Sequence, residues 1–125
     1  MKKLGIMIFV VGVFMTGCRT FPTLYNVEGQ VVANHTQQEV EKAILVGATN
    51  KGWTVHKKCE GLMYATLVKR AHQVKVEIPY DANSYSILYK DSQNLKYNDK
   101  KGTIHPRYNT WIINLNRSIN QELSH

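Results

Sequence analysis

The side chains of this chain that could do chemistry are few and scattered. His72 and His105 are the best general-base candidates, and Asp81, Asp91 and Ser92 could serve as their partners. Acyl or phosphoryl transfer needs a nucleophile, a base and an orienting group brought together, and nothing in the spacing of these five makes that specific. His56 and Cys59 stand at a ligand-like spacing, yet two residues make a poor metal site, so no metal and no cofactor is expected. Cys18 is different. It follows Gly17 where an apolar run stops, in "FMTGCRT", and a thiol at that junction is placed for modification rather than catalysis.

The residues ahead of Cys18 read as a targeting segment. Lys2 and Lys3 supply a short positive end, and Leu4 to Met15 is an apolar run of about a dozen residues, short of the ~20 needed to span a bilayer. Thr16 and Gly17 are small, as a cleavage site requires. The string Met15-Thr16-Gly17-Cys18 resembles the lipobox of bacterial lipoproteins, with Met15 where leucine is usual. The resemblance implies that residues 1–17 are a lipoprotein signal peptide. It also implies that Cys18 receives a diacylglyceryl group and that its new amine is acylated. Two or more chains, at ~0.8 kcal/mol per buried CH₂, anchor stably where one would not. Arg19 is not the aspartate that retains lipoproteins in the inner membrane of enteric bacteria. In a cell with two membranes, the resemblance therefore implies the outer one, facing the periplasm.

Removing 17 of the 125 residues leaves 108, enough for one modest core. The excised segment carries two basic residues and no acidic ones, so the net charge falls from +7 to +5. That charge is spread along the chain, with no run longer than Lys57-Lys58, Lys69-Arg70 or Lys100-Lys101, and no nucleic-acid partner is expected. Weak attraction to anionic phospholipid or peptidoglycan is the plausible consequence. With Cys18 lipidated, Cys59 alone remains and no internal disulfide forms.

The elements that must position these residues follow from pattern. Residues 18–34 are expected to hold the lipidated tether, and whether Tyr25 to Val32 adds an edge strand is left open by their mixed composition. The domain proper is expected over 35–125. "TQQE" is a capping box at Thr36 and Glu39; Val40, Ala43, Ile44, Gly47 and Ala48 follow at helical spacing, and Gly52 suits a left-handed stop. Four strands come next: Trp53–Lys57, Met63–Lys69, Gln73–Tyr80 and one around Tyr85, Ile87 and Tyr89. Short turns between them demand antiparallel pairing. The second strand could slip by one residue. Met63, Ala65 and Leu67 are placed inside because that set carries no hydroxyl, which leaves Tyr64, Thr66 and Val68 outside.

A polar loop, Asp91 to Thr103, leads to Pro106 at the first turn of a last helix. There Tyr108, Trp111, Ile112, Leu115, Ile119 and Leu123 form the apolar stripe. The expected fold is α+β: a four-stranded antiparallel meander with an N-terminal and a C-terminal helix packed on one face, in the order α-β-β-β-β-α.

The stretches "GWTV", "ATLVKRAHQVKVEIPY", "YSILYKDSQNLKY" and "IHPRYNTWIINLNRSI", in this order behind a lipobox, resemble a family of small, uncharacterised proteobacterial lipoproteins. The resemblance covers nearly all of the mature chain. It implies the address and the architecture, and it carries over no activity.

Two binding surfaces remain, and neither is catalytic. The outer sheet face offers Tyr64, Thr66, Val68 and Leu88 as a half-apolar patch rimmed by Lys75, Glu77 and Lys90, suited to an envelope protein or peptidoglycan. Ordinary sheet packing, or cover by Tyr25–Val32, is the plainer reading of the same face. Alternatively, Tyr89, Tyr97, His105, Tyr108 and Trp111 could converge at the sheet end and hold a small glycan or peptide. The same aromatics at helical and strand spacing also suit a core.

Overall fold

The computed structural model describes residues 23–124; the expected signal segment 1–17 and the expected lipidation position Cys18 lie outside the described residues. The fold is α+β, a five-stranded antiparallel sheet with two helices. The strands are β1 (Val27–Val31), β2 (Thr54–Cys59), β3 (Leu62–Lys69), β4 (His72–Pro79) and β5 (Ser84–Gln93). The helices are α1 (Gln37–Asn50) and α2 (Pro106–Leu123). The strand order is β1-β5-β4-β3-β2, so β2 to β5 form the expected meander and β1 joins it at the far edge, beside β5.

The question left open at Tyr25–Val32 resolves into a short strand. Val27 pairs with Ile87 and Val31 with Ser84, with a bulge at Gly29, whose φ of +65° and backbone N–H donating to Ser86 Oγ fit the irregular register. The folded unit also begins earlier than residue 35. Thr23 bridges to Thr103, and the Leu24 N–H donates to the Gly102 carbonyl at 2.7 Å.

Local chemistry sets each helix. Thr36 Oγ1 accepts from the Glu39 N–H at 3.1 Å while Glu39 Oε1 accepts from the Thr36 N–H at 2.9 Å, which satisfies two donors that the first turn of α1 leaves orphaned. Those hydrogen bonds hold the Glu39 carboxyl below its ordinary range, the Thr36 backbone bond first among them. Gly52, at φ +88°, turns the chain from α1 into β2. At α2, Pro106 stands in the first turn and the His105 ring caps it, Nδ1 accepting from the Arg107 N–H at 3.1 Å.

Both helices cover one face. Met63, Ala65, Leu67, Val74, Val76, Ile78, Tyr85 and Ile87 point to it and are buried, so the second strand has the register that puts Met63 inside. Ile112, Leu115 and Ile119 meet them from α2, each fully buried, for about 1.5–3 kcal/mol apiece as an upper bound. α1 and α2 approach closely where Gly47 faces Ile119, and Ser118 Oγ donates to the Gly47 carbonyl at 2.8 Å.

Two expectations change. The segment after Asp91 is not a polar loop throughout: β5 runs to Gln93, and Leu95 and Ile104 are buried, pinned by the His105 N–H on the Leu95 carbonyl. Trp111 is only half-buried, because it lies on the flank of the α2 stripe, beyond the turn where β3 ends.

Candidate functional site

The outer sheet face comes from strand alternation. His56, Tyr64, Glu77 and Leu88 stand in one cross-strand row over β2, β3, β4 and β5. The His56 and Tyr64 rings meet edge-on at 5.5 Å, Lys90 Nζ lies 5.3 Å over the Tyr64 ring, and Lys90 also reaches Glu77 at 3.9 Å. Thr66 falls in the next row, between Thr54 and Lys75, and Val68 lies further along, 64% exposed. The four residues Tyr64, Thr66, Val68 and Leu88 therefore share one face, interleaved with Lys75, Glu77 and Lys90. β1 lies in the plane of the sheet at its edge rather than over this face.

The five aromatic pocket residues divide into two groups. Tyr89 stacks on Tyr97 at 4.4 Å and meets Tyr108 edge-on at 5.6 Å, but Tyr108 is fully buried and belongs to the core. A β-bulge between β4 and β5 turns both Tyr89 and Ser92 inward, where the two hydroxyls share a 2.7 Å hydrogen bond. Burial pushes the Tyr89 phenol up, and the Tyr108 phenol up further. His105 and Trp111 form the second group, with His72 between them: its ring centre lies 6.0 Å from that of His105 and 6.2 Å from that of Trp111.

Beside Trp111 a groove of about 620 Å³ opens at the end of the sheet, lined by Leu67, Val68, Lys69, Arg70, His72 and Arg107 among others. Arg70, Lys69 and Arg107 did not stand out as site residues in the sequence. A signal for them existed: Arg107 and Trp111 are four apart on one helix face, and Lys69-Arg70 sits in a tight turn that needs φ +57° at Arg70.

His72, His105 and Asp81 are occupied in structural roles. His72 Nδ1 bonds the Asn94 carbonyl at 2.8 Å, while Asn94 Nδ2 donates to the Ala71 carbonyl at 2.6 Å, so the pair ties the β3–β4 turn to the loop after β5. The His105 imidazole is pushed down, first by burial and then by Arg107, His72 and Lys96; the neutral ring keeps the Nδ1 lone pair that capping uses. Asp81 Oδ1 accepts from the Asn83 and Ser84 N–H groups in the β4–β5 turn, at the opposite end of the sheet from His72. Cys59 is an exposed free thiol at the end of β2. Among the described residues no group of three His, Cys, Asp or Glu side chains could hold a metal ion, and no helix is long and apolar enough to cross a membrane.

No protein-family model, curated protein or solved structure matches the chain.

Proposed function

We propose that the chain is a lipid-anchored cell-envelope protein, held through an acylated Cys18 in the outer membrane of a two-membrane cell, whose α+β domain binds a periplasmic partner and turns over no substrate. The observation that carries this reading is the string Met15-Thr16-Gly17-Cys18 at the end of a short apolar run, only 23 − 18 = 5 residues ahead of the first folded contact at Thr23. For the partner, an envelope protein or peptidoglycan, the support is the outer sheet face, where Tyr64 and Leu88 stand half-wet among Lys75, Glu77 and Lys90.

Cys18→Ser tests the anchor. It should leave an uncut precursor and abolish metabolic labelling with fatty acid; continued processing and labelling would refute the reading. In-cell crosslinking from position 64 tests the face: adducts lost with Leu88→Lys at unchanged thermal stability support it, and a large stability loss makes the face core. A second reading, a small-ligand lipoprotein, has the groove beside Trp111 in its favour. A glycan or peptide seated there should quench Trp111 fluorescence.

A further inference from the structure

The charges of the domain are sorted along the strand axis. At one end lie the β3–β4 turn, the loop after β5 and the first turn of α2; hydrogen bonds of Asn94 with Ala71 and His72 tie the first two together, and the His105 N–H on the Leu95 carbonyl ties in the third. They present Lys69, Arg70, Lys96, Lys100, Lys101 and Arg107, all exposed, against Asp91 and Asp99. Asn98 Oδ1 accepts from both the Lys100 and Lys101 N–H groups, so that turn is built rather than loose. At the other end the balance reverses, by five to four: Glu39, Glu41, Glu60, Asp81 and Glu122 stand against Lys42, Lys57, Lys58 and Arg117.

The chain enters the fold at the basic end. Thr23 pairs with Thr103, the Leu24 N–H donates to Gly102, and Asn109 holds both the Thr23 carbonyl and the Tyr25 N–H. Four residues lie between Cys18 and Thr23, and the five Cα-to-Cα steps reach ~18 Å at full extension. β5, ten residues long, spans ~33 Å. An attachment at Cys18 therefore holds the basic end within ~18 Å of the lipid surface, free to come within a Debye length of it, while the acidic end can lie ~33 Å further out.

Resting on the anchored reading above, we infer that the domain docks on anionic phospholipid headgroups through this basic end. The sorted charge sets its orientation: the six cations meet the negative surface, the acidic end is repelled, and the strands stand across the membrane plane. The groove between Arg70, Arg107 and Trp111 then opens toward the headgroups. The outer sheet face is left sideways and accessible.

The test uses the full chain carrying a benzophenone amino acid at position 100 or at position 60. It is reconstituted in vesicles of phosphatidylcholine alone, or of phosphatidylcholine with an equal amount of phosphatidylglycerol. Lipid adducts are counted by mass spectrometry. Position 100 should give several-fold more adduct than position 60, and more with phosphatidylglycerol than without. Lys69→Gln, Arg70→Gln, Lys96→Gln and Lys101→Gln together should cut the position-100 adduct several-fold in phosphatidylglycerol vesicles while leaving the thermal midpoint in place. Equal adducts at the two positions, or a position-100 adduct indifferent to both phosphatidylglycerol and the four substitutions, overturns the inference. Intact mass reports the anchor separately. A chain without lipid on Cys18 that keeps the charge-dependent adduct sinks the anchored reading and supports the docking surface. A lipid-modified chain with adducts at neither or both positions sinks the docking surface alone.

Discussion

Gly47→Ala is the substitution on which helix propensity and tertiary packing disagree most sharply. In an isolated helix the change is worth about 1 kcal/mol in favour of alanine. Here a Cβ at position 47 would stand 2.8 Å from Ile119 Cα, 2.9 Å from its N and 3.1 Å from its Cγ1. Two of those three atoms are backbone, so no rotamer change relieves the overlap. Carbon–carbon contact is comfortable at ~3.5–4.0 Å, so α1 and α2 must part by about 0.7–1 Å. A gap of that size forfeits a quarter to a half of the dispersion attraction across the seam that buries Ile44, Leu115 and Ile119. It also stretches the Ser118–Gly47 hydrogen bond, worth about 1 kcal/mol. Overpacking of this kind costs about 1–3 kcal/mol, occasionally more. Set against the propensity gain, the net loss should be about 1–3 kcal/mol, or roughly 5–20 °C in Tm for a domain of this size. Differential scanning calorimetry of Gly47→Ala beside Thr49→Ala, an exposed position on the same helix, reads it directly. A Gly47→Ala protein that melts at or above the parent would show that the helices do not meet as described.

Two buried tyrosines should respond in opposite senses to loss of the hydroxyl. Tyr108 Oη is buried with no hydrogen-bond partner among the described residues, so Tyr108→Phe should be neutral or stabilise by up to about 1 kcal/mol in urea denaturation. Tyr85 Oη donates toward Asn116 and Asn120, and Tyr85→Phe should cost about 1 kcal/mol. Tyr80 Oη donates to Glu41 Oε1 at 2.6 Å, and Lys57 Nζ stands 3.1 Å from the same carboxylate. The Tyr80 hydrogen bond, then Lys57, holds Glu41 below the ordinary carboxylate range, while burial followed by Glu41 pushes Tyr80 up to about 12. A lowered carboxyl contributes stability above its unfolded pKa and loses it as pH falls through the folded one. A raised phenol contributes below pH ~10 and loses it as pH rises through ~12. Tyr80→Phe, which removes a bond open to solvent on one side, should therefore cost about 0.5–1 kcal/mol near neutrality and clearly less once the pH has fallen through the lowered pKa of Glu41. A cost independent of pH would assign the loss to packing instead.

Periodicity made most of the fold legible. The capping box, the clean alternation of Gln73 to Tyr80 and the 3.6-residue stripe of α2 each carry a local physical cause, and each element stands where that cause puts it. What local pattern leaves open is pairing at a distance. Val27 and Val31 look like half a strand until β5 supplies their partner, and nothing near them in sequence names that partner. Leu95 and Ile104 sit singly among polar residues, with no period to betray them, and are buried because two ends of one loop close over the sheet. The aromatic residues show the same limit. Their composition suggested convergence, whereas the β4–β5 bulge and the burial of Tyr108 decide which of them touch. Arg70, Arg107 and Trp111 come together only because a turn and a helix start share one end of the sheet.

The placement of β1 has a consequence for the order in which the chain can fold. Val27 faces Ile87, sixty residues further along, whereas β2 to β5 pair with one another across short turns. The meander can form from local contacts, but β1 gains nothing until β5 exists, because the closure entropy of the long loop must be met first. A chain is synthesised N-terminus first. The β1 segment therefore waits, unpaired, until most of the remainder has been made. During that interval β5 offers a bare edge carrying Tyr85 and Ile87, a template onto which any extended segment could add. When β1 arrives it closes that edge and ties both halves of the chain together, so the strand laid down first in synthesis is the last to be fastened.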